Sequence, residues 1–172
     1  MKLLRKITAK DFGRTNETSY ENSRNAVRAV LLDENDYMAL MYLPKFQFNN
    51  YADLYMIPGG GVEANENIEK ALEREMLEET GCHINIIEEL GYIECPEDKF
   101  AAITYYYLAK VAGEKGQTQM MEHEKKDQTE LQWHSLEKAL DIIDNETANG
   151  LVQYIKFRDK TALSEAIKYL RK

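Results

Sequence analysis

The stretch from Pro58 to Cys82, PGGGVEANENIEKALEREMLEETGC, constrains this chain more than any other part of it. Pro58 ends a short apolar run, three glycines follow, and residues 66–80 have the composition and spacing of a helix closed by Gly81. At about 100° per residue, Ile68, Ala71 and Leu72 mark the inward face of the first two turns. The same face continues as Glu75, Glu78 and Glu79, with Met76 at its edge, while Glu69, Lys70, Glu73 and Arg74 lie towards the other side. Three carboxylates therefore take over a stripe that begins as core, at the i, i+3, i+4 spacing where helix side chains meet.

The ordinary reading of a glutamate-rich helix is a solvated face. It fits badly here, because three close, sheltered carboxylates repel and cannot all ionise cheaply without a counter-charge. A hard divalent cation supplies one, and Mg²⁺ takes a few carboxylates together with substrate phosphate oxygens. Glycines just before the helix let backbone approach a metal or ligand closely and expose carbonyl oxygens to it. The chemistry points to a Mg²⁺ site built on one helix and the glycine loop before it.

The balance of charge narrows the ligand. With 22 basic and 30 acidic residues among 172, the net charge is −8. Such a chain lacks the cationic footprint of a duplex-binding protein, so a phosphate ligand must be neutralised by something other than bulk charge. Cys82 and Cys95 are too few for a disulfide framework or a thiolate zinc site. The opening MKLLRKITAKDFG has no apolar signal core, and no run approaches the length of a membrane span. The expectation is a soluble, cytoplasmic protein with no membrane partner.

Around the helix, hydrophobic alternation predicts strands at Ala26–Leu32, Tyr37–Leu43, Leu54–Ile57, His83–Glu89 and Ala101–Val111, with Leu131–Trp133 leading to a helix from Leu136. Residues 13–25 and Pro44–Asp53 read as loops. Along the fifth of these strands Ala101, Ile103, Tyr105, Tyr107, Ala109 and Val111 share one face. Mixed strands with intervening helices give an α/β domain with helices packed on a mixed sheet.

The order Gly60, five residues, Glu66, seven residues, Arg74-Glu75, Met76, one residue, Glu78-Glu79, one residue, Gly81, Cys82 is similar to the Nudix box, the signature of Nudix (MutT-like) hydrolases. Cys82 stands where the family usually has an aliphatic residue, a packing role that a small buried cysteine can fill. The resemblance implies the Nudix fold, a mixed sheet sandwiched between helices, over residues 1–150. It also implies Glu75, Glu78 and Glu79 as metal-binding carboxylates, joined by the Gly60 carbonyl, with Arg74 orienting the glutamates and Glu66 in an architectural role. The implied reaction is Mg²⁺-dependent hydrolysis (with Mn²⁺ as a substitute) of the pyrophosphate bond in a nucleoside diphosphate linked to another moiety. The alternative is a non-catalytic Nudix-fold module that senses a nucleotide and regulates a partner. Such modules usually lose box glutamates, and this chain has all three.

In the family the general base is a box glutamate or one from a loop far downstream. That loop offers Glu122, Glu124 and Glu130, and Glu124, after His123, is the expected one, against a solvated loop charge. His123 and His134 read as structural or exposed, and Tyr105 and Tyr107 as core and sheet-surface aromatics. Phe46, Phe48 and Tyr51 are set for packing under their loop ahead of base stacking, and Arg28 for a cross-strand ion pair or a phosphate contact. The family's dinucleoside polyphosphate hydrolases tend to carry a tyrosine where this chain has Asp98, Lys99 and Phe100, and its ADP-ribose hydrolases a proline to which Pro96 comes two residues early. The substrate class therefore stays at a nucleoside triphosphate or related nucleotide. Beyond residue 150, Ala162, Leu163, Ala166, Ile167 and Leu170 form an extra C-terminal helical stripe over 151–172, to be covered by the same domain or by a second copy in a homodimer.

Overall fold

The structure, a computed structural model, describes residues 1–12, 24–46, 49–96, 101–120, 122, 127–148 and 153–172. An eight-stranded sheet is formed by β1 (Leu3–Lys6), β2 (Arg24–Leu32), β3 (Met38–Phe46), β4 (Ala52–Met56), β5 (Gly59–Gly61), β6 (His83–Glu94), β7 (Ala101–Ala112) and β8 (Glu130–His134). The helices are α1 (Ile68–Thr80), α2 (Leu136–Asn145) and α3 (Gln153–Leu170). The strand order is β1-β6-β7-β2-β3-β4, with β5 added to β2 and β8 to β3.

β2 is the pivot. One edge runs parallel to β7, and the other is divided. Ala26, Val27 and Arg28 pair with Gly61, Gly60 and Gly59 of β5, whereas β3 joins β2 only at Leu32↔Met38. Because successive side chains of a strand face opposite ways, Val27, Ala29 and Leu31 meet Ala71, Leu72 and Met76 of α1. Val30 and Leu32 meet Ala139 and Ile143 of α2 and Ala162, Leu163 and Ala166 of α3 on the other face. The sheet is therefore covered by helices on both sides, and α1 is pressed against the strand that holds the glycines. Among the described residues no helix is long and apolar enough to cross a membrane.

Several boundaries differ from expectation, two of them for a clear local reason. β3 runs on through Pro44 and Lys45 to Phe46, because the ladder with β4 skips between Leu43 and Phe46 and so accommodates a residue without an N–H. β6 continues past Glu89 to Glu94 by a similar shift at Gly91. Gly91 has φ +140, and a Cβ there would lie 2.5 Å from the Lys2 carbonyl of the β1 segment. The last helix starts at Gln153, and Leu151 and Val152 of the expected 151–172 stripe lie outside the described residues.

Candidate active site

α1 is fixed at both ends by short-range chemistry. The Asn67 side chain accepts from the N–H groups of Glu69 and Lys70, and Gly81 turns left-handed at φ 67 to close the last turn. Between these caps Arg74 is a hub. Its Nε and Nη2 donate to the two Glu66 oxygens at 3.0 and 2.9 Å, a bidentate pair. Nη2 also reaches the Gly61 carbonyl at 3.0 Å. Nη1 donates to Glu75 at 2.7 Å and lies 3.7 Å from Glu78. The Glu66 carboxyl, hydrogen-bonded by Arg74 and by the Glu63 N–H, falls to a pKa of about 2. Glu66 precedes the N-cap and is spent on Arg74, as its architectural role requires.

Glu75 and Glu79 are both buried, each 9 % exposed, while Glu78 stands at the rim of the same stripe. Burial raises the Glu75 carboxyl above its usual range, opposed by the hydrogen bond and charge of Arg74. Gly60 explains how Glu75 fits, because a Cβ at this position would lie 2.4 Å from a carboxylate oxygen. Any side chain at 60 would displace Glu75.

The β2–β5 ladder sets the direction of the glycine carbonyls. Ala29 N–H donates to the Pro58 carbonyl and Val62 N–H to the Asn25 carbonyl. Antiparallel alternation then gives Gly60 its ladder bonds with Val27, its partner in register, so the Gly60 carbonyl faces β2 and not the carboxylates. The glycines on either side present their backbone to α1. Gly59 N–H donates to Glu79 at 2.6 Å, and the Gly61 carbonyl accepts from Arg74. The carbonyl that shares its direction with the Glu79 contact is that of Gly59, which the sequence spacing alone did not separate from Gly60. Gly59 is irreplaceable on its own account, with φ +136 and a virtual Cβ 2.1 Å from the Val27 carbonyl.

The sequence matches the family described as NUDIX domain over residues 22–154. The chain belongs to the Nudix hydrolase family. Solved Nudix-fold structures resemble it closely enough to show the fold. A MutT protein from Methanosarcina mazei Go1 superposes with a TM-score of 0.60 at 22% identity, covering 90% of this chain and 100% of that one. A NUDIX-family hydrolase from Clostridium perfringens gives 0.54 at 19% identity, covering 83% and 97%. A C. elegans Ap4A hydrolase, in a binary complex, gives 0.55 at 18% identity, covering 86% and 98%. No curated protein sequence matches the chain.

The remaining expected residues of this Nudix domain divide. His123 and Glu124 lie outside the described residues, as do Phe48 and residues 97–100. The chain leading to that loop is tied to α1, with Gln119 N–H on the Glu78 carbonyl at 2.7 Å and Gly116 N–H on the Gly81 carbonyl at 2.9 Å. Glu130 sits on β8, paired with Tyr42 of β3. Arg28 donates to the Ile57 carbonyl and lies across Gly59. Tyr105 and Tyr107 pack against α1's cluster, and Phe46 against the opposite one, whereas Tyr51 is 72% exposed. His134 is half-buried, hydrogen-bonded to Gln132, with its pKa lowered by burial. Cys82 is fully buried beside Met76, filling the aliphatic position, and both cysteines are free thiols.

Three carboxylates and a glycine carbonyl along one helix and one strand are hard-oxygen groups of the kind that Mg²⁺ prefers. Among the described residues no three such groups already stand together as a metal cluster. Arg74 holds Glu75 and approaches Glu78, an internal counter-charge to both. At Gly60, where a Cβ would strike the Glu75 carboxylate, the absence of a side chain lets Glu75 lie directly against β5.

Proposed function

We propose that this Nudix hydrolase cleaves the pyrophosphate bond of a nucleoside diphosphate linked to another moiety, a nucleoside triphosphate or related nucleotide, with Mg²⁺ held by Glu75, Glu78, Glu79 and the Gly59 carbonyl. The observation that carries the reading is the intact acidic stripe against the glycine strand, with Arg74 gripping its first carboxylate. When bound, Mg²⁺ supplies polarisation of the phosphoryl oxygens, neutralisation of charge on the leaving group and acidification of the attacking water. The protein's own part is orientation. Gly59 N–H fixes one Glu79 oxygen, and Arg74 fixes one Glu75 oxygen while anchored on Glu66 and Gly61. Glu75, with its raised proton affinity, or Glu124, on the resemblance of its loop to the family's, would take the proton from water. Non-catalytic modules of this family usually lose box glutamates, and this chain keeps all three.

The reading is tested by a panel of nucleoside triphosphates, dinucleoside polyphosphates and nucleoside diphosphate sugars, followed by release of phosphate and nucleotide with Mg²⁺ and with EDTA. Turnover of at least one member in Mg²⁺, abolished by EDTA, is expected. Tight nucleotide binding with no turnover under any metal would favour the sensing module.

A further inference from the structure

From the geometry we infer that Asp159 of α3 is a positioning residue for the glycine strand of the active site. This inference rests on the hydrolase reading above and extends it to a residue beyond the 22–154 segment that matches the family.

The contacts form a continuous chain. Asp159 is 1% exposed, and its Oδ2 accepts the Ile57 N–H at 2.9 Å across 102 residues of sequence. Ile57 is the last residue before Pro58, and its carbonyl is taken by Arg28. Side chains from two different elements therefore grip both polar groups of one buried residue. From Ile57 the path is short: the Pro58 carbonyl accepts from Ala29, and Gly59 N–H donates to Glu79. The segment 57–59 carries the chain from edge strand β4 to β5, and on its far side lies the Gly59 carbonyl assigned to the metal.

Asp159 is itself held tightly. Its Oδ1 accepts the Tyr106 hydroxyl at 2.6 Å and Arg158 Nε at 2.9 Å, both from buried residues. Three donors on one carboxylate fix its orientation, and a buried charge compensated in this way does not wander. An apolar residue at 159 would leave the Ile57 N–H, the Tyr106 hydroxyl and the buried Arg158 guanidinium without their shared acceptor. An aspartate makes sense if the location of Ile57, and with it Gly59, has to be set to within a fraction of an ångström.

The test uses the full-length chain and Mn²⁺ as probe, with bound metal read from the free-ion electron paramagnetic resonance signal and stability read from thermal unfolding. Asp159→Asn should weaken Mn²⁺ binding about tenfold, an effect of the size expected when a group supporting metal ligands is lost. Tyr106→Phe frees one side of the carboxylate but keeps the Ile57 contact, and should shift the Mn²⁺ affinity the same way by about threefold. It decides the matter if Asp159→Asn does not fold. Leu163→Ala, in the same helix and core but with a side chain that makes no hydrogen bond to the Ile57 backbone, should lower the melting temperature and leave Mn²⁺ affinity within about twofold. Unchanged affinity in Asp159→Asn, or in Tyr106→Phe if only that variant folds, overturns the inference, and so does an equal loss in Leu163→Ala. A wild-type chain that binds no Mn²⁺ overturns both this inference and the hydrolase reading, whereas wild-type binding with indifferent variants overturns this inference alone.

Discussion

Glu73 and Glu79 are six residues apart on one helix and have opposite surroundings. Glu79 is buried and receives the Gly59 N–H, while Glu73 is exposed and reaches only Lys70, at 2.9 Å. Glu79→Gln keeps shape and one acceptor but loses the charge that a hard cation requires. Turnover should fall roughly 100-fold or more, with little change in melting temperature. Glu73→Gln loses one exposed ion pair and should stay within about twofold of wild type in kcat/KM. Near wild-type activity for Glu79→Gln at saturating Mg²⁺ would remove it from the metal site. Glu66 gives a pH counterpart. Its folded pKa of about 2 lies below the ordinary carboxylate value, so its stabilising contribution is present above about pH 4.5 and is lost as pH falls towards 2. In Glu66→Gln the acid limb of unfolding, followed by circular dichroism between pH 2 and 5, should be shallower than in wild type.

At the scale of elements, edge strand β4 is where sequence reasoning had least to work with. The α1 helix was legible almost to the residue, because its caps, core stripe and acidic stripe all lie within one short window. The hydrogen-bond partners of β4 come from far away: Tyr55 N–H donates to Glu146 and Ile57 N–H to Asp159. Neither acid carries a local signal, and only the tertiary fold brings them to the strand's open side. The same holds for the directions of the Gly59 and Gly60 carbonyls, which depend on ladder phase and not on spacing. Capping an edge with buried carboxylates has a cost that depends on pH. Desolvation, reinforced by the charge of Asp159, raises Glu146 to about 7, and its Oε2 is buried without a partner among the described residues. A carboxyl whose folded pKa is raised imposes no penalty below about pH 4.5, and a growing one as pH climbs through 7. Glu146→Gln keeps an acceptor for Tyr55 and should stabilise the chain by on the order of 1–3 kcal/mol at pH 8, with little effect at pH 4.5. Urea denaturation at the two pH values checks this, and equal stability changes at both would refute the assignment.

For the whole molecule, the question is what covers the C-terminal stripe. Sequence alone offered two answers, the same domain or a second copy, since periodicity says that a face is apolar and not what it meets. In the structure Ala162, Leu163 and Ala166 are fully buried within the chain, and Ile167 packs against the same cluster as Val30, Leu32 and Leu108. Tyr169 and Leu170, at 36% and 41% exposure, are what the helix leaves to solvent. The expected result of removing residues 160–172 changes accordingly. Each large side chain taken from the core forfeits about 1.5–3 kcal/mol of burial, and the exposed surface of β6 and β7 adds to that. The total approaches the 5–15 kcal/mol that holds a typical domain together. The truncated chain should therefore lose its cooperative thermal transition and aggregate, at any protein concentration, instead of dissociating into folded subunits. Differential scanning calorimetry with light scattering on both lengths separates the outcomes. A truncated chain that melts cooperatively near the wild-type temperature would mean that α3 is dispensable to the core. The buried Asp159–Ile57 contact would then have to be explained by the active site alone.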